Sequence, residues 1–82
     1  MKICIDERTH EGSAVEIMEQ LRQQTFDPTE YPDTESYIFQ LRSNFIRATD
    51  LDCPLPESSV EQQARTMFAH LAKAGALTIL EE

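Results

Sequence analysis

Cys4, His10, Cys53 and His70 are the side chains of this 82-residue chain best suited to hold a metal or to attack a substrate. Thiolate and neutral imidazole are good zinc ligands, and structural zinc sites usually bring them in close pairs, because a short knuckle aims two ligands at one ion. Here the four are separated by 5, 42 and 16 intervening residues, with no C-x-x-C pair. No metal site and no cofactor is therefore expected. A cysteine nucleophile needs a neighbouring base and a local positive field to form thiolate. Cys53 instead follows Asp52, with Asp50 close by, and such carboxylates favour the protonated thiol. Cys4 alternates with Ile3 and Ile5. Both cysteines read as free, structural thiols.

Carboxylates come in pairs at Asp6-Glu7, Asp50-x-Asp52 and Glu81-Glu82. None has the alternating oxygen ligands and central glycine of a calcium loop, so they read as solvated surface charge. Gly12 and Gly75 are the whole glycine complement, which leaves no phosphate-cradling loop. No catalytic constellation emerges, and the expectation is a protein that is not an enzyme.

The net charge of -8 opposes binding to phosphate backbones. It is unevenly spread. Residues 1–33 carry eight acids against three bases, whereas residues 34–74 carry five against four. A DNA-contacting face would have to lie in that near-neutral middle, where the third helix offers Arg65, Lys73 and His70 outward. Proline-bearing connections of about eight residues also replace the tight turn of a helix-turn-helix. Nucleic acid is not the expected partner. No apolar run approaches the length of a membrane span, and Met1 to Asp6 lacks the character of a signal peptide. The expected location is the cytoplasm, away from membranes.

The elements that must position these residues follow from the pattern. Met1 to Ile5 predicts a strand with Ile3 and Ile5 on one face and Lys2 and Cys4 on the other. Asp6-Glu7 predicts a turn returning through Arg8-Thr9-His10, against the reluctance of position 7 to adopt left-handed backbone. Ser13 with Glu16 forms a capping box for a helix over 13–24, whose apolar stripe includes Ala14, Ile17, Met18 and Leu21. Pro28 and Pro32 mark a loop over 25–33, in which Phe26 and Tyr31 are expected to fold back onto the core. Asp33 or Thr34 caps a second helix over 34–49. Cys53-Pro54-Leu55-Pro56 stiffens the next connection. Ser58 with Glu61 predicts a second capping box, for a helix over 59–74 that Gly75 terminates. Residues 77–80 predict a closing strand. A lone terminal strand is unstable in water, so it should pair with the first.

The expected fold is one α+β domain over 1–82: three helices packed on a two- or three-stranded antiparallel sheet, in the order β-(β)-α-α-α-β. Its second helix is unusual. Tyr37, Ile38, Leu41, Phe45 and Ala48 make one apolar stripe, while Phe39 and Ile46 sit seven apart on nearly the opposite side. Arg42 and Arg47 accompany them, a composition suited to protein interfaces. Two readings stay open. The second face binds a partner, or it is covered by Phe26, Tyr31, Leu51 or Leu55 from the loops.

With Lys2-Ile3 to Asp6, then Glu11-Gly12-Ser13 and Glu16-Ile17 before an amphipathic helix, the chain resembles a group of small bacterial proteins of no assigned activity. The likeness covers the first quarter most clearly, then the final helix, Gly75 and terminal strand. It brings no catalytic or binding residue with it. The function expected from the residues is a non-enzymatic protein-interaction or regulatory module, with Phe39, Arg42, Ile46 and Arg47 as partner-binding residues and self-association as one form of it. The alternative is a nucleic-acid-related role, as weak DNA contact through the middle segment or as an acidic DNA mimic.

Overall fold

The computed structural model describes residues 1–24 and 33–81. Its elements run β1 (Lys2–Ile5), β2 (Arg8–Glu11), α1 (Ala14–Gln23), α2 (Thr34–Thr49), α3 (Val60–Lys73) and β3 (Thr78–Glu81). The fold is α+β, with three helices packed on one antiparallel sheet of order β2-β1-β3.

The hairpin forms through a two-residue turn in which Asp6 (φ 50°) and Glu7 (φ 66°) both take left-handed backbone. This is the geometry that matches the twist of the flanking strands. Sheet pairing on both sides of β1 outweighs the local cost at Glu7, and β2 extends one residue beyond the expected His10. Ile3 stands opposite His10 on one side and Ile79 on the other. Cross-strand partners share a face, so this row of three points at the helices. Cys4, opposite Thr9 and Thr78, lies on the outer face. Between Lys2 and Ile3 the register with β3 slips, leaving Leu80 as the extra, half-exposed residue of a bulge.

Local signals place the helix starts. The Ser13 hydroxyl accepts from Glu16 N, and the Glu16 carboxylate accepts from Ser13 N, closing the expected capping box. Asp33 caps α2 by accepting from Ser36 N at 2.8 Å, which holds its carboxyl below the usual range. The third start differs from expectation. Ser59, not Ser58, is the cap, accepting from Gln62 N, and Glu61 takes no part in a box. Glu61 instead crosses to α1, where its two oxygens accept from Ala14 N (3.2 Å) and Val15 N (3.1 Å). Those amides belong to the first turn of α1 and have no partner within the helix. With Ser13 serving Glu16 N, that turn is fully satisfied. Gly75 (φ 84°) follows the end of α3 in left-handed geometry, as its position predicts.

The core lies between the sheet and the helices. Ile3, Ile17, Met18, Ile38, Met67 and Phe68 are fully buried in it, joined by Cys53 from the connection between α2 and α3. At one end Glu19 binds α1 to α2. Its carboxylate accepts from Arg22 (Nε, 3.0 Å), Thr34 Oγ1 (2.7 Å) and Gln23 Nε2 (3.0 Å), which together lower its pKa to about 2. Among the described residues no helix is long and apolar enough to cross a membrane.

Candidate functional site

The second face of α2 is where the sequence points outward, and the structure separates its members. Ile46 is partly buried and packs against the core. Phe39 remains 43% exposed. The apparent stripe thus has one foot in the core and one in solvent. Of the four side chains expected to cover it, Leu55 packs on the core and lines one hollow with Phe39. Leu51 is 56% exposed and covers nothing there. Phe26 and Tyr31 lie outside the described residues. Arg47 is exposed near the end of α2.

Arg42 has a role its charge alone does not reveal. Its Nε donates to the Cys53 carbonyl at 2.7 Å. Two donors from α3 do likewise: His70 Nε2 to the Pro54 carbonyl (3.0 Å) and Gln63 Nε2 to the Pro56 carbonyl (3.3 Å). A connection carrying Pro54 and Pro56 is short of backbone N–H groups, and it runs across two helices rather than beside a strand. Its carbonyls are therefore met by side chains of both helices it joins. His70, weighed above as a zinc ligand and as a DNA-facing residue, is committed to this strap and lies against the Phe45 ring at 6.3 Å between centroids. Arg65, also in the third helix, is paired with Glu61 at 3.1 Å.

The strap seats Cys53. Its side chain is fully buried, with Sγ 3.8 Å from Met67 Sδ. Burial pushes the thiol pKa up, and Asp52 adds to this against the opposing charge of Arg42. This thiol is held in its protonated, unreactive form. Cys4 is a free thiol on the outer face of the sheet. Among the described residues, no three His, Cys, Asp or Glu side chains come together in a metal-holding group.

Phe39, Arg42, Leu55, Pro56 and Gln63 enclose a hollow of about 290 Å³ where α2, the strap and α3 meet. One of its polar atoms is unusual. Gln63 uses its amide nitrogen on the strap, and its Oε1 is buried without a hydrogen-bond partner. A buried acceptor left unpaired costs about 1–3 kcal/mol. It is the single such side-chain atom among the described residues. Sequence reasoning found Phe39 and Arg42 but not Gln63, whose position on α3 gives no sign that it will meet the preceding loop.

The chain matches no protein-family model, and neither a curated protein nor a solved structure is significantly similar to it.

Proposed function

We propose that this chain is a non-enzymatic protein-interaction or regulatory module of the cytoplasm that docks a basic protein segment on the hollow beside Phe39. The observation that carries this reading is the exposed Phe39 ring next to a buried, unpaired Gln63 Oε1. A partner that lays an apolar side chain on Phe39 and Leu55 covers the exposed ring, and where its docking turns the Gln63 amide outward it supplies the N–H that Oε1 lacks. A protein backbone supplies such a donor at every residue but proline. The net charge of -8 draws Lys- or Arg-rich segments to the molecule at long range, and on the hollow itself Glu57 offers them a partner beside Arg42.

The test is a pair of surface variants. Phe39→Asp removes the anchor at an exposed position and should leave the fold intact. Leu51→Asp is the control, since Leu51 is even more exposed but lies on a different hollow with Phe45 and His70. A bound protein that is basic, released by salt, lost with Phe39→Asp and kept with Leu51→Asp supports the reading. Equal binding by both variants overturns it. Concentration-dependent light scattering separates the self-associating case: a dimer that Phe39→Asp dissolves would replace the basic partner with a second copy.

A further inference from the structure

Another cavity, of about 470 Å³, differs in character. It sits where the β-hairpin meets the last turn of α1 and the first turns of α2, lined by Ile5, Asp6, Arg8, His10, Leu21 and Tyr37 among others. The hairpin register explains the grouping. Ile5 pairs with Arg8 and Ile3 pairs with His10, so Arg8 and His10 lie on the helix-facing side of β2, two residues apart. Arg8 is exposed at the start of β2, whereas His10 is buried two residues further on.

Three groups on this cavity are chemically unspent. Asp6, in the turn, and Arg8, just after it, are exposed, and no ion pair or side-chain hydrogen bond joins either to any described residue. His10 is the one buried polar residue among those described, at 9% exposure. Its Nδ1 lies 3.0 Å from Gln20 Oε1, an acceptor, so Nδ1 carries the hydrogen. In the uncharged ring, Nε2 then keeps its lone pair. It has no partner among the described residues. Ile5 and Leu21 supply an apolar wall.

We infer that this cavity binds a small zwitterion, an α-amino acid with an aliphatic side chain. The Arg8 guanidinium matches the carboxylate, for which its planar fork is suited. The Asp6 carboxylate and His10 Nε2 are two acceptors for the ammonium group. Ile5 and Leu21 receive the side chain. A simple anion would leave Asp6 facing it unpaired, in a protein already at -8, and a simple cation would leave Arg8 so. A ligand carrying both charges meets both groups, which water otherwise solvates. The volume is within the range of small-molecule sites. This site is separate from the hollow beside Phe39 and stands or falls independently of it.

The test is an NMR titration of the isotopically labelled protein with L-leucine, alongside isovalerate, which lacks the ammonium group, and isopentylamine, which lacks the carboxylate. L-leucine should give saturable shifts at the amides of Asp6, Arg8, His10 and Leu21, without change around Phe39. Each analogue should bind at least about ten-fold more weakly, as should Arg8→Gln and Asp6→Asn with leucine itself. Asn tolerates the left-handed backbone at position 6, so that variant removes the charge and keeps the turn. The spectra report directly that each variant is folded. No saturable shift with L-leucine at millimolar concentration overturns the inference. So does binding of isovalerate or isopentylamine as tight as that of leucine.

Discussion

Glu61 shows how much one carboxylate can hold when it sits at the right place. It lies in the first turn of α3, where an acid is favoured by the helix dipole, and its oxygens also satisfy two amides at the start of α1. Burial alone would raise its pKa, but the hydrogen bonds from Val15, Arg65 and Ala14 outweigh it and the net shift is downward. A carboxyl whose pKa is lower in the folded than in the unfolded state stabilises fully above the ordinary Glu value of 4.5. That contribution is lost as pH falls through the lowered value. Glu61→Ala should cost about 1–2 kcal/mol in urea unfolding at neutral pH. The difference from wild type should shrink once the pH drops below the ordinary Glu range. A difference unchanged in acid would show that Glu61 acts through packing instead. Glu19 follows the same sign, with its window between 4.5 and about 2. It is partly solvated, so its share should stay below about 1 kcal/mol.

At the scale of elements, the strap over 53–56 is held by the helices rather than by its own backbone. Arg42 from α2 and His70 and Gln63 from α3 each take one of its carbonyls. The connection thereby fixes the two helices relative to each other and closes Cys53 into the core. Arg42→Ala should destabilise by about 1–3 kcal/mol, because it removes a charged donor and leaves the Cys53 carbonyl unmet. It should also raise the rate at which Cys53 reacts with an alkylating reagent under native conditions, while Cys4 changes little. His70→Ala should do the same to a smaller extent, since its bond to Pro54 is the more exposed of the two. Cys53 reactivity that is unaltered in both variants would mean that the core, and not the strap, keeps the thiol covered.

The whole molecule is closed by its ends. β1 is the central strand, and β3 covers one of its edges while β2 covers the other. Deleting residues 77–82 would expose the β1 edge and remove Leu77 and Ile79 from the core. The truncated chain should lose its cooperative thermal transition and bind hydrophobic dye. Retention of a sharp transition would show that the hairpin and helices suffice. Much of this architecture was legible beforehand. The Ser13–Glu16 box, a cap at Asp33 or Thr34, Gly75 after α3 and the pairing of the terminal strands are all written in single residues, in residues three apart, or in an apolar run too short to stand alone. Such signals act within one turn of helix or one strand, so reading them needs no knowledge of what lies across the molecule. Where they gave the wrong answer, a long-range contact had overruled them. Glu61 fits the spacing of a box with Ser58, but α1 presents two unpaired amides within its reach, and a helix start on a neighbouring element is invisible to local spacing. The same limit applies to Phe39 and Ile46. Periodicity placed them together on the second face of α2, whereas in the fold Ile46 packs against the core and Phe39 stays largely outside it. The Gln63 acceptor and the cavity of Asp6, Arg8 and His10 belong wholly to tertiary structure. Both arise where successive elements of the chain fold back on one another, and that convergence is set by how faces pack, not by what any one segment prefers.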